Sequence, residues 1–164
     1  MGARIVGVYW SPWDAWFPEG QPYSSLRGKY RWHLMQSSGV RDEVYMRRAF
    51  ADAYPSGLFV VVDRAGDWVG ALAGASTVVL LYPDPIGYGF GRIEARLRTA
   101  VPPGCVLRAL NGRRRDFELD STSRRALTLR RMCKGLLLGE LAFSTAFVLL
   151  TPFLVGLDLL RGRR

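Results

Sequence analysis

The feature that most constrains this chain is an apolar run near its C-terminus, Leu136–Leu157, which reads LLLGELAFSTAFVLLTPFLVGL. The run holds one charged residue, Glu140. Arg130, Arg131 and Lys134 precede it, and Arg161, Arg163 and Arg164 follow it. Its roughly 22 residues meet the about 20 that a helix needs to cross a hydrocarbon core. Such a run predicts one transmembrane helix at about 136–157, with few residues beyond it, as in tail-anchored proteins. Basic residues on both sides leave little contrast in charge. Arg124 and Arg125, a little further back, make the basic residues more numerous before the run, which weakly favours a body on the cytosolic, matrix or stromal side.

Within the run, Gly135, Gly139, Ala142 and Ala146 recur at steps of four, three and four, which places small residues along one helix face. Gly135 and Gly139 form a G-xxx-G pair of the kind that lets another helix approach closely. Glu140 lies next to that face, roughly 6 Å inside the span by helical rise. A carboxylate there is costly unless it is paired, protonated or reaching the interface. It is therefore read as a polar contact to a partner subunit, with a headgroup position as the rival. Pro152 is expected to bend the helix and free a carbonyl near Val148.

The remainder must form a small body. At 164 residues the chain has room for one small domain and an anchor. A mean hydropathy of +0.03 is too low for a multi-spanning protein. The formal net charge is +9, and the only lysines are Lys29 and Lys134. Arginine forks onto phosphate and carboxylate with two hydrogen bonds. Arg124, Arg125, Arg130, Arg131 and Lys134, crowded before the span, are thus candidates for anionic lipid phosphates or acidic partners. The N-terminus is neither a secretory signal nor a good presequence, because its short apolar stretch is followed at once by Trp13, Asp14 and Pro18.

Residues 1–39 are rich in aromatics, glycine and proline and show no sustained period, so they are expected to form an irregular arm. Tryptophan suits sites that are apolar on one side and wet on the other, so Trp10, Trp13, Trp16 and Trp32 are read as partner-facing. Packing on the body's own core is the competing role. Residues 40–121 are expected to form a small basic α+β region. A helix over 40–54 is capped by Ser37 or Ser38 and stopped by Pro55, Ser56 and Gly57. A short buried strand at 58–62 and a turn at 63–67 follow.

Trp68–Tyr82 is ambiguous between a buried core element and a second, short span at 68–82. A helix of about 15 residues would reach only about 22 Å. A short basic helix is expected over RIEARLRTA, then a hairpin at Asn111-Gly112 whose end is made basic by Arg108, Arg113 and Arg115. Asp120 or Ser121 caps a long last helix, 122–160, which runs straight into the span.

The residues that chemistry would need are scarce. His33 is the one histidine, so a nucleophile–histidine–acid set has a single candidate base. Cys105 and Cys133 are in no metal or redox spacing, and no cluster has metal-ligand spacing. Gly87-Tyr88-Gly89-Phe90-Gly91 lacks the last glycine of a dinucleotide loop, having Arg92 there. No catalytic, cofactor-binding or metal residue is assigned. Nucleic acid is the weaker partner, because the basic residues crowd towards the anchor and would meet lipid phosphate first.

The expectation is therefore a membrane protein: a small irregular, basic α+β body with one C-terminal transmembrane helix. As a function, it points to a non-catalytic accessory subunit of a larger membrane complex. A mitochondrial inner-membrane respiratory-chain or ATP-synthase complex leads. A tail-anchored adaptor or tether is the alternative, and a nucleic-acid-binding or membrane-associated enzyme component comes third.

Overall fold

A computed structural model describes residues 4–17, 25–62 and 68–162. The turn expected at 63–67 lies outside the described residues, as do Pro18, Arg163, Arg164 and the side chain of Glu140. The chain divides into two compact units, Met1–Leu127 and Thr128–Arg164.

The first unit is built on β1 (Ile5–Trp10). Three helices, α1 (Pro12–Trp16), α2 (Leu26–Gln36) and α3 (Glu43–Ala53), then lead to β2 (Leu58–Val62). Next come α4 (Trp68–Ala71), β3 (Thr77–Tyr82), α5 (Gly91–Ala100), β4 (Val106–Asn111), β5 (Asp116–Glu118) and the start of α6 (Ser121–Gly135). The five strands form one sheet in the order β2-β1-β3-β4-β5. β1 to β4 are mutually parallel and β5 is antiparallel to β4.

Side chains alternate across this sheet with a period of two. Val6, Val8 and Trp10 of β1, and Val78, Leu80 and Tyr82 of β3, enter one core with Trp68, Leu72, Phe90, Ile93, Leu97 and Leu127. Tyr9, Val79, Leu81 and Leu110 enter a second core with Met46, Ala49 and Phe50 of α3. A central parallel strand is buried on both faces and so reads as an unbroken apolar run. That explains TVVLLY. The residues considered for a second span, 68–82, are a four-residue helix, a turn and the β3 strand.

The expected irregular arm is corrected in the same way. Ile5–Trp10 is a central strand, and α1 and α2 follow it. Apolar residues on both faces hide any period. The body is α/β with a mostly parallel sheet rather than an irregular α+β region.

Smaller corrections follow from local chemistry. Asp42, not Ser37 or Ser38, caps α3: its side chain accepts from the Tyr45 backbone N–H at 2.8 Å. Ser38 instead turns back and donates to the Leu34 carbonyl. β2 is not the buried strand its composition suggests but an edge strand, with Leu58 and Val61 exposed. The hairpin joins β4 to β5, but not through a two-residue turn. The Arg114 amide donates to the Asn111 carbonyl at 2.7 Å, and Arg114 carries the positive φ of 59°. This is a three-residue loop ending in a left-handed residue. Asp120 caps α6, accepting from the Ser123 amide at 2.7 Å.

Phe50 shows how closely α3 sits on the sheet. A Cβ placed on Gly7 of β1 would lie 2.5 Å from the Phe50 ring, and one on Gly57 also 2.5 Å. Gly7→Ala is therefore expected to lower stability by about 1–3 kcal/mol, as overpacking does. Gly7→Ala combined with Phe50→Leu should cost less than the sum of the two single changes. Urea unfolding followed by tryptophan fluorescence checks both.

Candidate functional site

In an open parallel sheet, ligands bind beyond the carboxyl ends of the strands where the strand order reverses. Here β1 and β3 flank that point, because β2 lies on one side of β1 and β3 on the other. The loops beyond it run from Ser11 to Pro12, from Pro83 to Phe90, and from Gly112 to Arg115.

The Pro83–Phe90 loop is held from inside. Asp84 is fully buried, and its two carboxylate oxygens accept from the backbone N–H of Ile86 at 2.8 Å and of Tyr88 at 2.9 Å. Asn111 donates from Nδ2 to the Pro85 carbonyl at 2.8 Å. Its Oδ1 accepts from the amides of Arg113 and Arg115, each at 3.0 Å. The Arg41 amide donates to the Pro83 carbonyl at 2.9 Å. One aspartate and one asparagine thus fix the loops after β3 and β4.

Below them, the Tyr82 hydroxyl donates to the buried Glu94 carboxylate in the first turn of α5. A buried carboxylate must be hydrogen-bonded to be tolerated. Neither carboxylate therefore stands open as a ready acid or base. Among the described residues no group of three or more His, Cys, Asp or Glu side chains could hold a metal ion.

Two features of this edge could meet a ligand. Trp16 is buried against Tyr88, with ring centroids 4.6 Å apart, and its Nε1 is a buried donor with no partner among the described residues. Gly89, at φ 85°, brings its backbone beside that ring, where a Cβ would lie 3.3 Å from the indole Cδ1. The other feature is basic. The Arg41 and Arg114 guanidinium groups lie 5.1 and 5.6 Å from the centre of the Tyr45 ring. Arg114 also pairs with Asp52 at 3.0 Å. Arg113 and Arg115 are exposed at this hairpin tip as expected. Arg108 is not at the tip: it sits along β4, bound to Asp116 at 2.9 Å and to the Tyr54 hydroxyl at 3.1 Å.

The aromatics read as partner-facing divide. Trp10 is core and packs edge-on against Trp68, with centroids 5.0 Å apart; Trp16 is core as well. Trp13 is exposed and Trp32 half-buried, and the two rings meet at 5.6 Å. Of the four, this pair alone keeps solvent-exposed surface.

The second unit holds the end of α6 and the helix α7 (Leu138–Arg161). Among the described residues one helix is long and apolar enough to cross a membrane. The qualifying stretch is Leu141–Arg161, which starts and ends later than the expected 136–157. None of it is buried in the protein. Its two threonine hydroxyls bond within the helix: Thr145 donates to the Leu141 carbonyl at 2.8 Å and Thr151 to that of Phe147 at 2.7 Å. Pro152 lies inside α7 as expected. Ala142 and Ala146 lie on α7 and are exposed, and Gly139 is in its first turn. Gly135, however, ends α6. Leu137, at φ 51°, breaks the helix between them, so Gly135 and Gly139 do not share one helix face. Of the basic set, Arg125 and Arg130 are exposed, while Arg124, Arg131 and Lys134 are half-buried.

Burial and the nearby Glu43 and Asp42 carboxylates push the Tyr9 hydroxyl up to about 12. The unfolded chain ionises this phenol near 10, so above that pH the unfolded state binds fewer protons and stability falls. Stability is expected to fall between pH 10 and about 12, and Tyr9→Phe should remove that part of the loss. Denaturation at stepped alkaline pH measures it. Separately, Tyr82→Phe removes a buried hydrogen bond to Glu94 and should cost about 1–3 kcal/mol, measured by urea unfolding.

No protein-family model matches the chain, and no curated protein or solved structure matches it.

Proposed function

We propose that this chain is a membrane-tethered binding module: an α/β body that folds on its own cores, held at a bilayer by α7, and working through contacts rather than chemistry. One observation carries the reading. A body with both sheet faces covered by its own helices is followed by a helix whose apolar side chains are left uncovered. An anchor explains the helix, and a self-sufficient body needs no partner subunit in order to fold. The surfaces offered for binding are the basic hairpin tip with Arg41, Arg113, Arg114 and Arg115, and the pair of exposed Trp13 and half-buried Trp32.

The second reading is an accessory subunit of a larger membrane complex, in a mitochondrial respiratory-chain or ATP-synthase assembly. It draws support from the small residues Gly139, Ala142 and Ala146 and from Glu140 on α7. It loses the support of the aromatic arm, since Trp10 and Trp16 pack inside the body.

Membrane fractionation tests the tether. The full chain should stay in the pellet through an alkaline carbonate wash, and a chain ending at Gly135 should leave it while keeping the native fluorescence of the body. Retention of the shortened chain in the washed pellet would remove the anchor from α7. Native size analysis in mild detergent then separates the two readings. A small species carrying only its own detergent supports the tether. Stable co-migration with a large assembly, lost on Glu140→Leu or Gly139→Leu, supports the subunit.

A further inference from the structure

A single long helix running straight into the span is the expectation from sequence, and the backbone departs from it. α6 ends at Gly135, and the amides of Leu136 and Leu137 bond back to Met132 and Lys134 at 2.9 and 3.0 Å. Leu137 then takes φ 51°, and α7 starts at Leu138. Positive φ is uncommon for a residue with a branched side chain and costs about 1–2 kcal/mol. Two separate helices therefore meet at a corner.

The end of α6 has two kinds of side. Leu129, Met132 and Leu136, at steps of three and four, lie on one side of the helix and are 62%, 58% and 65% exposed. Cys133 is exposed beside them. Arg130, Arg131 and Lys134 lie off that stripe, and α6 carries no acidic residue at all. A modest apolar stripe beside a remainder whose only charges are positive is the pattern of a helix lying in the plane of a membrane interface. A spanning helix would not carry such a charge.

We infer that the 128–136 segment is an interfacial helix, seated with Leu129, Met132 and Leu136 in the headgroup–acyl boundary of an anionic bilayer. The inference rests on the reading of α7 as the membrane span. Two observations select lipid as the occupant. The stripe ends two residues before a helix apolar enough to cross a membrane, so lipid is already adjacent. The charge of the segment is complementary to lipid phosphate, each arginine or lysine near an anionic surface contributing about 1 kcal/mol. The corner at Leu137 lets the charged segment stay at the surface while α7 enters the hydrocarbon. The segment then acts as a collar that fixes how deep the chain sits.

Thiol accessibility tests this on the full-length chain. With Cys105→Ala and Cys133→Ser as background, single cysteines are placed on the stripe (Leu129→Cys, Met132→Cys, Leu136→Cys), off it (Arg130→Cys, Arg131→Cys) and in α7 (Leu150→Cys). The purified proteins are reconstituted into phosphatidylcholine–phosphatidylglycerol vesicles with the body outside. Each reacts with a membrane-impermeant maleimide, and its rate is scaled to that of the same protein in denaturant. The stripe thiols should react about tenfold or more slower than those off the stripe, a ratio well within the burial energy of three apolar side chains. Replacing phosphatidylglycerol by phosphatidylcholine should weaken that protection.

If Leu150→Cys is protected and the stripe reacts as fast as Arg130→Cys, the interfacial helix is wrong and the span stands. If Leu150→Cys also reacts freely, the span fails and takes the inference with it. Stripe protection in native membranes but not in lipid vesicles would mean that a protein covers it, which overturns the proposal. Protection indifferent to phosphatidylglycerol overturns its anionic-lipid part.

Discussion

The body depends on one constraint, the burial of β1 and β3 on both faces. These two neighbouring strands have almost no exposed side chain: Val6, Val8, Val78, Leu80 and Tyr82 face one core, and Tyr9, Val79 and Leu81 face the other. A parallel sheet of this kind must be covered twice. Right-handed crossovers do that only if the chain moves in opposite directions across the sheet. The step from β1 to β2 and the later steps from β2 through β3 to β4 run in opposite directions, in keeping with strand order β2-β1-β3-β4. That order places α3 over one core and α4 and α5 over the other. The same reversal creates the edge between β1 and β3, and the loops fixed by Asp84 and Asn111 lie beyond it. The fold and the candidate site share one cause.

The polar residues of the body are mostly committed to holding it. Glu94 takes the Tyr82 hydroxyl, Asp84 takes two loop amides, and Asp116 takes Arg108 and Tyr54. Each is a carboxylate that a search for catalytic acids would single out, and each is already hydrogen-bonded. The proposed binding role would draw on arginine at the hairpin tip, an exposed indole, and one buried indole N–H. An orphan donor of this sort costs about 1–3 kcal/mol if nothing accepts from it. Trp16 is thus the one described residue at this edge whose cost the body itself does not offset.

Some of this architecture is legible in the chain and some is hidden for physical reasons. α3, β2, α5, the Asn111 hairpin and the Asp120 cap are marked by local chemistry: acidic first turns, β-branched runs, a turn dipeptide, a capping side chain. The apolar helix at the C-terminus is marked by composition alone. β1 and β3 are not marked, because burial on both faces erases the alternation that identifies a strand. IVGVYW therefore resembles an aromatic arm, and TVVLLY resembles part of a short span. The same erasure misplaces Trp10 and Trp16, whose type suits an interface and whose location is core. The break at Leu137 has no signal, since leucine is a poor residue for positive φ and good helix formers stand on both sides of it. The candidate edge between β1 and β3 required the strand order, which no local pattern carries.

Magnitudes separate the two units. α7 leaves about a dozen large apolar side chains exposed, among them Leu141, Phe143, Phe147, Leu150, Phe153 and Leu154. At about 1.5–3 kcal/mol for each when covered, their removal from water amounts to roughly 20 kcal/mol or more. A domain of this size is stable by only about 5–15 kcal/mol. Taken gross, before any ordering cost, the covering of α7 is therefore larger than the net stability of the body. A change that unfolds the body, such as a void beside Phe50, acts on the smaller of these two free energies and leaves the apolar surface of α7 as it is. A change at Leu137 acts differently: it alters neither free energy much, but it decides whether α6 and α7 stay two separate helices. On the proposed reading of the chain as a membrane-tethered module, that break matters as much as either stability, and it passes through the backbone of Leu137.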